Sequence, residues 1–335
     1  MRLVGISGMT GVSEATLEEY GRLVSKACPE ARVDILSRDV LPEEEIIRKL
    51  QGYEVLMSGF QPMTEKAYAE TGLRAYCACS IGFDFTNPRA ASRHQVLVTN
   101  NPEYCVAEVA EHAVALILNC ARGIYKMGPL VKGGHWGFPA LRPLSRFAGS
   151  TVGLYGFGRI PRLIARRLAG FEVDIVTCDP FVSAAQAEAG GARLVDFEEL
   201  IRASDYLSLH APLTEATRGV FSEPVFRKMK ATAYLINTAR GPIVDQEALY
   251  RALAEGWIKG AGLDVLENEP PTDRDRRIIE LPNVTVTGHS AFYSDESLAR
   301  QTVLTAENIV RVLKGERPEN VVNPEVLELV DWIAQ

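Results

Sequence analysis

An apolar run, Val152 to Tyr155, ends in Gly156-Phe157-Gly158-Arg159-Ile160-Pro161 and passes directly into a helical run, Arg162 to Leu168. The next apolar run, Ile175 to Cys178, ends at Asp179, 21 residues beyond Gly158. A strand that turns this tightly into a helix and is followed by another strand forms a right-handed βαβ unit in a parallel sheet. Gly156 and Gly158 let the chain turn and bring backbone N–H groups close to a phosphate at the helix N-terminus, where the dipole favours negative charge. Pro161 stands where a small residue is usual. It is tolerable in the first helical turn, because its missing N–H has no intrahelical partner there.

An acid about 20 residues beyond such glycines accepts hydrogen bonds from the adenosine ribose of a dinucleotide. Asp179 fits that spacing, although Pro180 after it also suits a plain surface turn. Phe181 and Val182 bring no cation for a 2′-phosphate, so the reading is NAD rather than NADP. Further apolar strands follow at Tyr206 to Leu209, Ala233 to Ile236, Gly260 to Leu263 and Val284 to Thr287. Six strands separated by helical stretches make a doubly wound parallel sheet. The first hundred residues repeat this grammar. Strands are expected at Arg2 to Ser7, Val33 to Leu36, Val55 to Ser58, Ala75 to Ser80 and Val96 to Thr99, with helices at Glu14 to Cys28 and Glu43 to Leu50. At 335 residues the chain exceeds one growing core, so two α/β domains are expected.

The net charge of −7 disfavours non-specific attraction to nucleic acid or an anionic membrane. The apolar run Ala113 to Leu118 falls far short of the ~18 residues of a membrane helix. The opening Met1-Arg2-Leu3-Val4 lacks a signal-peptide pattern, and the reading is a cytoplasmic protein. The six cysteines show no zinc spacing and read as buried, reduced thiols, with no metal site implied. From Pro102 to about Lys126 the chain is helical in pattern and apolar on most of its circumference, which calls for cover on both sides, either within the chain or by a second subunit. Gly133 to Pro139 then reads as a loop or arm.

Ligands of open α/β sheets bind beyond the carboxyl ends of the strands. The residues found there are Gly156, Asp179, His210, Thr238 to Arg240, Asp264 and His289. Three of the nearby groups suit hydride transfer to a 2-oxo acid. A guanidinium, Arg240, can hold the carboxylate and polarise the carbonyl. A histidine, His289, can protonate the oxygen as it becomes an alkoxide. A carboxylate, Glu269, can orient that histidine and favour its imidazolium.

With these segments assembled, the chain resembles the D-2-hydroxyacid dehydrogenases along essentially its whole length. The matching runs are Val109-Ala110-Glu111-His112, Gly156-Phe157-Gly158-Arg159-Ile160, His210-Ala211-Pro212-Leu213-Thr214, Ile236-Asn237-Thr238-Ala239-Arg240-Gly241, Gly262-Leu263-Asp264-Val265 with Glu267-Asn268-Glu269-Pro270, and Thr287-Gly288-His289. The resemblance implies two Rossmann-like domains: a flavodoxin-like substrate domain of residues 1–100 and 295–335, and an NAD-binding domain of residues 101–294 that carries a dimerisation helix. It implies a homodimer, NAD as cofactor and a 2-oxo or D-2-hydroxy acid as substrate. It also implies catalytic roles for Arg240, Glu269 and His289, and pyrophosphate contacts at Arg159 and Ile160. By the same resemblance Asp179 meets the ribose, His210 and Pro212 line the cofactor cleft, and Thr238, Ala239 and Asp264 surround the nicotinamide end. Ser80, Ile81 and Gly82 fall where the family offers backbone N–H groups to the substrate carboxylate.

After His289 the run Ser290-Ala291-Phe292-Tyr293-Ser294 is bulkier than the usual small residues and is more similar to the transcriptional corepressor branch of the family. An NAD-sensing interaction protein is therefore the alternative to a metabolic dehydrogenase. Phe292, three residues after His289, is expected to reach the substrate side chain and to favour an apolar or compact group there. Phosphoglycerate is disfavoured because Glu54 to Pro62 contains no cation.

Overall fold

The computed structural model describes residues 2–333. The chain divides into two compact units, Met1–Cys105 with Ser294–Gln335, and Val106–Tyr293.

In the first unit, strands β1 (Arg2–Ser7), β2 (Ala31–Ile35), β3 (Val55–Ser58), β4 (Ala75–Ala78) and β5 (Leu97–Thr99) form one parallel sheet in the order β2-β1-β3-β4-β5. This is the flavodoxin-like order. Successive side chains go to opposite faces. Val4, Ile6, Val55, Met57, Ala75 and Cys77 pack with the helices Glu14–Ala27 and Asp295–Lys314. Leu56, Tyr76 and Ala78 pack on the other side with Ile46, Ala90 and Val98. The helices at Glu65–Glu70 and Pro88–Arg93 were not expected from the sequence.

The second unit holds β6 (Thr151–Tyr155), β7 (Asp174–Cys178), β8 (Arg193–Leu194), β9 (Tyr206–Leu209), β10 (Tyr234–Asn237), β11 (Gly260–Leu263) and β12 (Val284–Val286). Their order is β12-β11-β10-β9-β6-β7-β8, all parallel. The direction of winding reverses between β6 and β9, the switch point at which α/β sheets bind ligands. The doubly wound expectation holds, with a seventh, two-residue edge strand added.

The apolar segment after Pro102 is two helices rather than one. Val106–Arg122 ends at Gly123, whose φ of +62° takes the chain out of the helix, and Ile124–Lys132 follows. The first helix is two-faced, not apolar nearly all round: Ala110, Ala113, Leu116, Ile117 and Cys120 are buried within this unit, while Glu111, Ala115 and Arg122 are exposed. Gly262 in β11 lets this helix approach the sheet, since a Cβ there would lie 3.2 Å from Leu116 Cβ. Five cysteines are buried and Cys178 is half-buried, all as free thiols. Among the described residues no helix is long and apolar enough to cross a membrane.

Candidate active site

The glycine turn lies at the carboxyl end of β6, beside the switch point. Gly156 has φ +91°, a conformation that disfavours any side chain. A Cβ there would also meet the backbone of His210 and Ala211 at about 3.1 Å and 3.0 Å, so the loop after β9 is packed directly against the turn. The helix Arg159–Leu168 starts at Gly158 without a side-chain cap, and Pro161 occupies its first turn, as its lack of an N–H allows. Asp179 at the end of β7 accepts from Phe157 N at 2.7 Å and from Phe181 N at 2.8 Å. Its carboxylate therefore ties the glycine turn to the neighbouring strand, and each oxygen keeps a lone pair for a hydroxyl donor.

Two observations fit a dinucleotide here. A Cβ at Gly158 would meet no atom within 4 Å, so packing does not demand glycine, whereas a phosphate seated on the helix N-terminus does. Thr238 Oγ, after β10, is buried with no hydrogen-bond partner, a condition normally relieved by a ligand or water. His210 shares a hydrogen bond with Ser208 Oγ at 2.8 Å. Burial pushes its pKa down to about 3, so the imidazole is neutral. Pro212 is exposed, and its carbonyl accepts from Thr217 Oγ at 2.7 Å.

Arg240 sits on a short loop braced by Asn237, which accepts from Ala239 N and donates to the Arg240 carbonyl, both at 3.0 Å. The next residue, Gly241, lies so close to the loop after β11 that a Cβ would stand 1.9 Å from Leu266 O. Leu266 N in turn donates to Glu269 Oε1 at 3.1 Å, and Glu269 Oε2 is hydrogen-bonded to Nδ1 of His289. The sheet edge thus joins the arginine loop, the glutamate loop and the histidine turn.

His289 has φ +54°, left-handed backbone that costs a non-glycine residue about 1–3 kcal/mol. The turn around it is held by Asp264 at the end of β11. The carbonyl of Asp264 accepts from His289 N at 2.6 Å, while its carboxylate accepts from Thr287 Oγ (2.6 Å), Ser290 N (2.9 Å) and Ala291 N (3.0 Å). The Phe292 ring meets the His289 ring edge-on, with centroids 6.3 Å apart.

The Glu269 loop has its own brace, which sequence reasoning missed. Asp275 is fully buried and accepts from Thr272, Gln246 and Asn268, while Gln246 Oε1 accepts from Glu267 N at 2.8 Å. Burial pushes the Asp275 carboxyl up, but these hydrogen bonds outweigh it and hold the pKa at about 2. The available signal was the Thr272-x-x-Asp275 spacing of a capping box.

In the first unit, Ser80 is buried, its hydroxyl donating to Gly82 O at 2.7 Å. The carbonyls of Ser80 and Ile81 accept from Asn101 N and Asn100 Nδ2. The amides of Ile81 and Gly82 carry no hydrogen bond among the described residues.

Known proteins resemble this chain over most of its length. The family profile "D-isomer specific 2-hydroxyacid dehydrogenase, NAD binding domain" matches residues 114–291. A glyoxylate reductase of Korarchaeum cryptofilum is 35% identical over 94% of this chain and 96% of its own. A D-3-phosphoglycerate dehydrogenase of Archaeoglobus fulgidus is 34% identical over 92% of this chain but 60% of its own. The crystal structure of D-lactate dehydrogenase from Aquifex aeolicus, complexed with NAD and lactic acid, superimposes with a TM-score of 0.83 at 28% identity, covering 97% of each chain. The glycine turn, the acid after β7 and the unpartnered Thr238 hydroxyl therefore belong to an NAD-binding domain, and the chain belongs to the D-isomer specific 2-hydroxyacid dehydrogenase family.

Proposed function

We propose that this protein reduces a short 2-oxo acid with a compact or apolar side chain to the D-2-hydroxy acid, using NADH. The observation that carries the reading is the hydrogen-bonded His289–Glu269 pair, held in a strained turn with the Phe292 ring beside it. NADH supplies the hydride that reaches the carbonyl carbon. Nδ1 of His289 is taken by Glu269, which leaves Nε2 as the atom that gives its proton to the carbonyl oxygen. Arg240 binds the substrate carboxylate and polarises the carbonyl.

The size of the acid is argued from Phe292 and from relatives. A ring edge-on to the proton donor occupies volume that a bulky substituent would need. Glyoxylate reductases match this chain along nearly their whole length, as the one from Thermofilum pendens does over 94% of its own at 36% identity. The test is a panel of 2-oxo acids, from glyoxylate and pyruvate to branched and phosphorylated ones, assayed with NADH. Phe292→Ala should move the ratio of specificity constants toward bulkier acids by roughly tenfold. A variant of lower melting temperature with the wild-type ranking would show that Phe292 serves packing only, and that Ser58 to Gln61 must be searched for the specificity pocket.

We also propose a homodimer. The helix Ile124–Lys132 contributes no buried residue, and large apolar groups stand open on and after it: Ile124, 61% exposed, Val131, 42%, Trp136, 91%, and Phe138, 61%. Exposed apolar area of this kind marks an interface with a matching surface. Light scattering at micromolar concentration should give twice the chain mass for wild type and the chain mass for a Trp136→Asp, Phe138→Asp double variant. A monomeric wild type would refute the proposal.

A further inference from the structure

The turn that carries His289 is held not only by Asp264 but also from a helix far away in sequence. Nε2 of His112, on the helix Val106–Arg122, lies 2.8 Å from Thr287 Oγ. Thr287 Oγ itself donates to Asp264 Oδ1 at 2.6 Å. A hydroxyl has one proton to give. Because Thr287 gives its proton to the carboxylate, His112 must be the donor to Thr287, which fixes the His112 ring as the Nε2–H form. The direct separation of Nε2 and Asp264 Oδ1 is 3.6 Å, too long for a hydrogen bond. The hydroxyl is therefore the bridge between the two.

We infer that His112 is a positioning residue for the proton donor, acting through Thr287 and Asp264. The chain of contacts runs from His112 Nε2–H to Thr287 Oγ, and from Thr287 Oγ–H to Asp264 Oδ1. Asp264 in turn receives the amides of Ser290 and Ala291 on its carboxylate and that of His289 on its carbonyl. The Asp264 side chain is only 1% exposed, so water does not compensate a lost donor cheaply. His289 occupies left-handed backbone at φ +54°, and such a conformation persists only where its surroundings over-determine it. The bridge supplies part of that determination. Removing it lets the turn relax and moves the ring away from the orientation in which its Nε2 reaches the carbonyl oxygen. Neither His112 nor Thr287 is among the residues proposed to touch NADH or the acid, so turnover should suffer and affinity should not.

The inference rests on the proton-donor role proposed for His289, and the experiment separates the two. Thr287→Val removes the bridging hydroxyl while keeping its shape, and Thr287→Ser restores it. His112→Leu removes the ring donor. With the 2-oxo acid that wild type reduces best, Thr287→Val and His112→Leu should lower kcat roughly tenfold or more, as small misplacements of a reacting group do. Both Michaelis constants should stay within about twofold, and Thr287→Ser should return kcat to within about twofold of wild type. Nitrogen NMR of histidine-labelled intact protein gives a readout independent of activity: His112 should carry its proton on Nε2, and the His289 ring signals should shift in Thr287→Val but not in Thr287→Ser. If His289→Gln remains active, the functional reading fails, while the NMR comparison still decides the bridge. If His289→Gln is inactive but Thr287→Val and His112→Leu keep wild-type kcat, the inference is overturned. It is equally overturned by unshifted His289 signals, or by kinetic loss that Thr287→Ser does not repair.

Discussion

Arg240→Lys should lower kcat/KM for the 2-oxo acid by roughly a hundredfold, about 2.7 kcal/mol of transition-state stabilisation. The guanidinium already gives one Nη1–H to Ala239 O at 2.9 Å, which sets the plane of the fork on a loop that Asn237 braces from both sides. A planar fork with its plane fixed matches the geometry of a carboxylate and of the carbonyl beside it. An ammonium on a flexible stem is a point charge, and satisfying Ala239 O draws it away from the substrate. The loss should therefore fall on both turnover and the Michaelis constant. Steady-state kinetics across the same panel of acids reads the result, and an unchanged specificity constant would remove Arg240 from the site.

Gly241→Ala should be as damaging, although the residue touches no substrate. The added Cβ would stand 1.9 Å from Leu266 O, 2.1 Å from Leu266 C and 2.6 Å from Glu267 N. All three are backbone atoms, so no side chain can swing away and the two loops must part. Overpacking of this severity costs about 3 kcal/mol, or a melting temperature lower by roughly 6–12 °C for a unit of this size. Parting the loops also separates the Arg240 loop from the Leu266–Glu269 turn, so kcat should fall at least about a hundredfold. Thermal unfolding and single-turnover reduction measured on one preparation check both parts. A variant matching wild type in both would mean that the loops do not meet at Gly241.

The strands were legible where an apolar run is bounded by turn residues. Val55–Ser58, Tyr206–Leu209 and Gly260–Leu263 fall where the sequence places them. Arg193–Leu194 was not legible, because two residues at a sheet edge show no alternation. The helices Glu65–Glu70 and Pro88–Arg93 are six residues each, too short to display a 3.6-residue period. The break at Gly123 was hidden because a glycine within a helical pattern is ambiguous until its φ is known. At the site, the polar residues at the strand ends and the histidine–glutamate pair could be named in advance. What supports them could not: His112 and Thr287 are 175 residues apart, and only the fold brings them together. The expectation for Asp264 concerns the nicotinamide end, and the sequence gives no sign that its carboxylate also holds the Thr287–Ala291 segment. The likeness of Ser290 to Ser294 to a corepressor rests on local bulk alone, and the relatives named above are reductases and dehydrogenases.

The first unit is written in two pieces of chain, with the whole second unit between them. Its inner sheet face, with Val4, Ile6, Val55 and Met57, is covered in part by Ala306, Ile309, Val312 and Leu313 of the last long helix. During synthesis at about 5–20 residues per second, the five strands emerge early, but the helix that seals them emerges only after the entire nucleotide-binding sheet. The five-stranded sheet therefore completes its fold after the second unit has been made, and for an interval of roughly ten seconds or more its apolar face is covered only by the helix Glu14–Ala27. The continuous second unit can close its own core within that interval, so co-translational folding runs from the middle of this chain outward.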